Sequence, residues 1–174
     1  MQGVYDLAVH IDDRGALYEI LRCDSPHFLE QGETWGQVYI VENPQAGTVR
    51  AFHRHQEMVD WYSIIRGSAK FVLFHRDDIL GLGGHNYVYR NTNMLNDLRA
   101  PSLAGNYHTK TVVLTARKPQ VLVCPRTVWH GWMSLEPNTM LLTVTNVPYN
   151  REQPDEERLP WDFLGEKLWG VQFR

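Results

Sequence analysis

Two cysteines, Cys23 and Cys124, are all that the 174 residues contain. That is too few for a disulfide framework, and the two form no CxxC pair, so both read as buried, reduced thiols without a catalytic role. No apolar run approaches the ~20 residues needed to span a bilayer. The N-terminal MQGVYDLAVHIDDRG has neither the basic start nor the apolar stretch of a secretory signal, so the expected address is the cytoplasm. Basic residues form no stripe: the formal net charge is −3, with lysines and arginines scattered among acids, which excludes the electrostatic footprint of a nucleic-acid binder. Long helical periodicity, internal repeats and low-complexity segments are also missing. The GLGG at 81–84 lacks the Lys-Ser/Thr and the helix pattern of a phosphate loop.

What the chain has in quantity is strand signal. Short runs rich in Val, Ile, Tyr, Phe, Trp and Thr recur about every ten residues between Gly, Pro, Asn and Asp clusters, the pattern of a β-sandwich or barrel. VYDLAVHI, ALYEILR, GQVYIVE, TVRAFHRH, DWYSIIR, AKFVLFH, TKTVVLTA, QVLVCP and TMLLTVTN are the expected strands, with DDRG, NPQAG, RGS, ARKP and LEPN as turns. Helix is a minor component, a turn or two in SPHFLEQ and in QPDEERLPWDFLGEKLW. The length fits a single domain over 1–174. Residues 78–108 are too polar and Gly/Asn-rich for continuous strand and form an irregular excursion, with one hairpin at NYVYR. Within it, His85 and His108 read as surface residues, with a role in a lid as the alternative. QPDEER reads as a solvated acidic loop.

The segment GTVRAFHRHQEMVDWYSIIRG, 47–67, concentrates the chemistry. In a strand, side chains two apart share a face, so His53 and His55 project together and Arg54 projects away, to the outside. Asp60 and Tyr62 share a face of the following strand. If the two strands pair as a hairpin, two imidazoles and a carboxylate converge, with Gly47 and Gly67 in the tight turns at either end. Two chemistries suit such a cluster. As metal ligands, His53, His55, Asp60 and His130 offer three nitrogens and one oxygen to one divalent transition metal. As acid-base groups, one imidazole takes a substrate proton and the others orient the substrate, with no metal competing for the lone pair. His55 can also be a satisfied polar neighbour of the others.

Read literally, the stretch is G-x5-H-x-H-x4-D-x6-G. It resembles the first cupin motif in every fixed position except for an aspartate where glutamate is usual, and CPRTVWHGWMS resembles the second. The expected fold is therefore all-β, a cupin double-stranded β-helix or jelly-roll barrel with minor helices. DDRGALYEI at 12–20, GQVY at 36–39, VRAFH at 49–53, PRTVWHGW at 125–132 and LPWD at 159–162 carry a closer resemblance, to the dTDP-4-dehydrorhamnose 3,5-epimerase family. Its members are dimeric cupins that act on nucleotide-linked 4-keto sugars without a metal. The resemblance implies that Arg14 and Glu19 contact the nucleotide, often in the neighbouring subunit's pocket, that Gln37 meets the base and that Arg50 grips the diphosphate. It makes His53 the catalytic base, His130 a supporting pocket residue and Glu156 another nucleotide contact.

The implied reaction removes a proton beside the C4 ketone of a dTDP-4-keto-6-deoxy sugar to give an enolate, then returns a proton to the opposite face. Three departures stand out. The family's lysine, which stabilises the enolate oxygen, aligns with Asp60; its proton-returning tyrosine aligns near Leu142 or Thr143; and the C-terminal acid that polarises the base has no counterpart. Tyr149, Tyr62 and Tyr107 are the substitutes for the tyrosine, Tyr149 preferred, and Asp60 for the polarising acid. The principal expectation is a homodimeric isomerase of a nucleotide-linked sugar, without cofactor. The alternatives are a metal-dependent cupin dioxygenase or isomerase and a non-catalytic sugar-nucleotide binder. Of the six tryptophans, Trp61, Trp129 and Trp132 are placed to stack on a sugar or base, with core packing as the plainer role for each.

Overall fold

The computed structural model describes residues 3–7, 9–13, 15–18, 20, 34–76 and 107–171. Its strands are β1 (Gly3–Asp6), β2 (Val9–Asp12), β3 (Gly15–Tyr18), β4 (Gln37–Asn43), β5 (Val49–Arg54), β6 (Asp60–Arg66), β7 (Ser68–Arg76), β8 (Tyr107–Thr115), β9 (Gln120–Cys124), β10 (Trp129–Ser134), β11 (Thr139–Thr145) and β12 (Glu157–Arg158). They form two five-stranded antiparallel sheets, ordered β1-β9-β6-β11-β4 and β12-β5-β10-β7-β8, with β2 and β3 as a separate two-stranded ribbon. A 3-10 turn over Glu166–Trp169 is the helical element of the C-terminal segment among the described residues. This is the all-β jelly-roll architecture expected from the sequence. Among the described residues no helix is long and apolar enough to cross a membrane. Most of the excursion lies outside the described residues, as do Cys23, SPHFLEQ and His85; Tyr107 and His108 belong to β8.

Period-two alternation builds the interior. Tyr62, Ile64, Phe71, Leu73, Leu114 and Leu122 belong to one buried cluster between the sheets. Gly47 at φ 80 and Gly67 at φ 75 take the left-handed conformations that let NPQAG and RGS turn the chain. The hairpin expected between β5 and β6 does not form. The connection at 56–59 carries the chain from one sheet to the other, so β5 pairs with β10 and β12 while β6 pairs with β11 and β9. His53, His55 and Asp60 therefore approach across the space between sheets, because each sheet needs its apolar face covered by the other.

Two further expectations are corrected by the C-terminal segment, which folds back over the outer face of the second sheet. Phe52, Phe74, Trp129, Met133, Leu159 and Trp169 make a second buried cluster there. Arg54 does alternate away from the histidines, yet it is 5% exposed rather than outside. Its Nη2 donates to Glu157 at 2.8 Å and its guanidinium lies 4.7 Å over the Trp129 ring. QPDEER is likewise no solvated loop. The Asp155 carboxylate accepts from the backbone N–H groups of Gln56, Glu57 and Met58 at 2.9, 2.8 and 2.9 Å.

Strands β5 and β10 approach closely because residue 131 is glycine. A Cβ there would lie 2.3 Å from the Ala51 Cβ and 2.8 Å from its Cα. Gly131→Ala is expected to cost about 1–3 kcal/mol in denaturant unfolding, the usual price of overpacking. Adding Ala51→Gly to that variant should recover part of the loss, and a double variant no more stable than Gly131→Ala alone would refute the contact as its cause.

Candidate active site

A cavity of about 610 Å³ opens between the sheets, a volume suited to a drug-sized ligand. One wall is the inner face of β4, β11 and β6, whose registers put Gln37, Thr145 and Asp60 in one row and Tyr39, Thr143 and Tyr62 in the next. The facing wall comes from β5 and β10, with His53, His55 and Trp132 among its lining residues, and Arg50, Tyr149, Glu156 and Arg158 complete the lining.

The imidazoles pack at the base of this cavity. His53 and His130 are register partners in β5 and β10; their ring centroids are 4.1 Å apart, and those of His53 and His55 are 5.2 Å apart. His130 is 3% exposed and backs His53. Its Nδ1 donates to the Val128 carbonyl at 2.9 Å, which leaves the Nε2 lone pair to accept from the Tyr62 hydroxyl at 2.9 Å. His55 is held the same way, its Nδ1 donating to the Asp155 carbonyl. Asp60 Oδ2 lies 3.6 Å from His55 Nε2 and 3.7 Å from His130 Nε2, and among the described residues both Asp60 carboxylate oxygens are buried without a hydrogen-bond partner.

Burial dominates the titration of the cluster. It pushes His53 down to about 4, reinforced by His55 and opposed by the Glu156 carboxylate. Burial, with His53 and His55 nearby, holds His130 well below the ordinary imidazole value. It raises Asp60 to about 6, with His55 acting in the opposite sense. Both His53 and His130 are thus neutral near pH 7, and His53, the less buried of the two, carries a lone pair at the cavity wall.

The structure brings together most of the expected site residues. His53, His55, Gln37, Arg50, Tyr149 and Glu156 line the cavity, while Asp60 and His130 are buried beneath that lining, 1% and 3% exposed, under its floor. Arg50 is anchored by Nε donation to Asn43 Oδ1 at 2.7 Å, which leaves its two terminal nitrogens as donors. Gln37 Oε1 accepts from the backbone N–H of Tyr149 at 2.8 Å. Asp60 meets His55 and His130 rather than His53, so it orients the expected base only through its neighbour. Arg14 and Glu19 lie outside the described residues. Trp132 lines the cavity, whereas Trp61 and Trp129 are packed in buried clusters. Sequence reasoning missed Tyr39, Thr143, Thr145 and Arg158 as lining residues. The alternation of GQVYIVE marks Tyr39 as sharing a face with Gln37, and that signal was available.

No protein-family model matches the chain. It is 29% identical over 175 residues to the spore coat polysaccharide biosynthesis protein SpsL of Bacillus subtilis, covering 98% of this chain and 96% of that one. It is 31% identical over 163 residues to the probable low-salt glycan biosynthesis epimerase Agl13 of Haloferax volcanii, covering 91% and 86%. The crystal structure of a dTDP sugar isomerase from Desulfovibrio desulfuricans superposes with a TM-score of 0.68 at 22% identity, over 98% of this chain and 92% of that one. The chain belongs to the family of the glycan biosynthesis epimerase Agl13.

Within that family frame, the position expected for lysine is Asp60, sealed in the floor. The residues also fit a divalent cation. Imidazoles that hold metals usually give their other N–H to a carbonyl or carboxylate, as His55 and His130 do; Asp60 is an anionic donor beside them, and His130 would ligate with the Tyr62 hydroxyl turned away from its Nε2. One ring nitrogen from each of His53, His55 and His130 lies within 4.8 Å of the others.

Metal-stripped protein is expected to melt at a lower temperature at pH 5 than at pH 7. Folded His53 and His130 sit below the free imidazole value of 6.5, so unfolding takes up protons and stability falls as the pH drops below that value. Asp60 acts oppositely: between its ordinary 3.8 and about 6, acid favours the folded state. In thermal melts His53→Asn should narrow the difference between the two pH values and Asp60→Asn should widen it; the reverse order would refute this balance.

Proposed function

We propose that the protein is an isomerase that epimerises a dTDP-linked 4-keto-6-deoxy sugar, with His53 as the base that removes the proton beside the ketone. The observation that carries this reading is a neutral, cavity-facing imidazole backed by a buried one, in a chain whose relatives include a named epimerase. His130 holds His53 from behind. Arg50 supplies a planar, permanently charged fork for the diphosphate, Gln37 and Glu156 contact the nucleotide, and Arg14 and Glu19 complete that contact. Removal of the proton sends the C–H electron pair onto the ketone oxygen, and the polar wall of Tyr39, Thr143 and Tyr62 surrounds the enolate. The reading includes a cytoplasmic homodimer, supported by the outward Val38 and Ile40 of edge strand β4, 58% and 51% exposed, its mass to be read by light scattering.

Incubation with dTDP-4-keto-6-deoxyglucose in D2O should place deuterium at C3 or C5. His53→Asn should slow that exchange by roughly 10²–10⁴-fold, the usual contribution of a general base. Binding without any deuterium in the wild type would reject both the reaction and the base.

A second reading rests on the unpartnered Asp60 carboxylate: His53, His55, Asp60 and His130 would hold one divalent transition metal. When bound, that metal would supply Lewis-acid stabilisation to an oxygen of the substrate. Elemental analysis of protein purified without a polyhistidine tag tests it. Near-stoichiometric metal that disappears in His55→Ala supports the second reading, and a metal content unaffected by His55→Ala or absent throughout rejects it.

A further inference from the structure

We propose that Tyr39 is the acid that returns the proton to the sugar, on the face opposite His53. The inference rests on the epimerase reading and deepens it. Inverting a carbon through an enolate needs two groups on opposite faces, because a lone base gives its proton back to the face it came from. The cavity has two walls, and His53 stands on the one built from β5 and β10. The acid belongs on the other, built from β4, β11 and β6.

That wall carries few candidates. Aliphatic hydroxyls such as Thr143 and Thr145 are much weaker acids than a phenol. The Tyr62 hydroxyl is 2.9 Å from His130 Nε2, which can only accept from it, and the residue is 5% exposed. Tyr149 lies beyond the end of β11, outside the strands of this wall, and is 47% exposed against 37% for Tyr39. Tyr39 remains. On β4 the residues Gln37, Tyr39 and Val41 line the cavity while Val38 and Ile40 face outward at 58% and 51% exposure. Tyr39 stands opposite Thr143, and Thr143 opposite Tyr62, so three hydroxyls cross the wall in one row, with Tyr39 at its open end. Burial, followed by the nearby Asp60 carboxylate, pushes the Tyr39 phenol up to about 12, with Thr143 opposing and Glu156 adding. It therefore stays protonated at neutral pH, as a donor must.

The step balances without a further reagent. His53 takes the carbon-bound proton, and the electron pair moves to the ketone oxygen. The enolate then re-forms the ketone as its carbon takes the Tyr39 O–H proton from the other side. Imidazolium and phenolate are left, and water at the cavity mouth resets both.

The test compares exchange with inversion. In D2O with dTDP-4-keto-6-deoxyglucose, Tyr39→Phe should keep deuterium incorporation at the reacting carbon, since His53 still removes and returns a hydron on its own face. Inversion should fall ~100-fold or more, the scale of general-acid catalysis, with melting temperature and substrate binding close to wild type. Tyr149→Phe should change exchange and inversion together, if it changes either. Three results overturn the assignment: Tyr39→Phe inverting within a few fold of wild type, Tyr39→Phe losing exchange as well as inversion, or Tyr149→Phe being the variant that exchanges without inverting. Wild-type protein that binds the sugar yet neither exchanges nor inverts would instead remove the epimerase reading itself, and this assignment with it.

Discussion

One hydrogen bond joins the two sheets at the cavity floor, from the Tyr62 hydroxyl on β6 to His130 Nε2 on β10. Its direction is fixed by the other end of the ring, where Nδ1 must donate to the Val128 carbonyl. The tautomer of His130 is thereby set, and so is the plane against which His53 packs, since the two residues face one another in register. Both partners of this bond are buried, so loss of either would strand a polar group away from water, at a cost of about 1–3 kcal/mol. The position of the cavity-facing imidazole thus follows from polar groups that cannot be left unpaired.

A second constraint comes from outside the sheet. The Asp155 carbonyl orients the His55 ring, and Asp155 is itself fixed by the backbone donors of Gln56, Glu57 and Met58. Burial works against its charge, yet those donors hold the Asp155 carboxyl below its ordinary value. Glu157 adds the ion pair to Arg54 and accepts from Gln56 Nε2 at 2.7 Å. The segment that carries these groups also delivers Glu156 and Arg158 to the cavity. Packing of Leu159 and Trp169 on the outer face and placement of charge at the inner one are therefore two consequences of the same chain reversal.

How far this was legible from the residues depends on the range of the interaction. DWYSIIR coincides with β6 at both ends, because alternation and the bounding Gly67 are local. The convergence of residue 53 with residue 130 was legible through the two motif-like segments. The path by which His53 and Asp60 meet was not: adjacency in sequence suggested a hairpin, whereas burial of two apolar faces favours crossing between sheets. Arg54 shows the same limit. Alternation placed it correctly on the far side of the strand, but nothing local reveals that residues 155–169 cover that side. For Tyr39 only the face shared with Gln37 is legible locally; its neighbour in the wall is Thr143, more than a hundred positions away, and strand pairing at that distance is set by the fold.

The exchange of an expected lysine for Asp60 changes the electrostatics of the floor more than any other departure. An ionised carboxylate about 4 Å from a developing enolate oxygen would oppose it by roughly 4 kcal/mol at an effective dielectric of 20, on the order of 10³ in rate. Two states of the floor avoid that penalty. With Asp60 protonated, as it becomes below about pH 6, the floor is neutral and the hydroxyl row supplies the dipoles. With a divalent cation beside an ionised Asp60, the floor carries net positive charge, as lysine would give it. The first state belongs to the acid-base reading and would favour activity on the acid side of neutrality. The second needs Nε2 of His55 and of His130 as ligand atoms, since each Nδ1 is held by a carbonyl, with the Tyr62 hydroxyl displaced from His130, and acid would discharge it by competing with the cation for its ligands. The two readings thus require opposite pH slopes from the same floor.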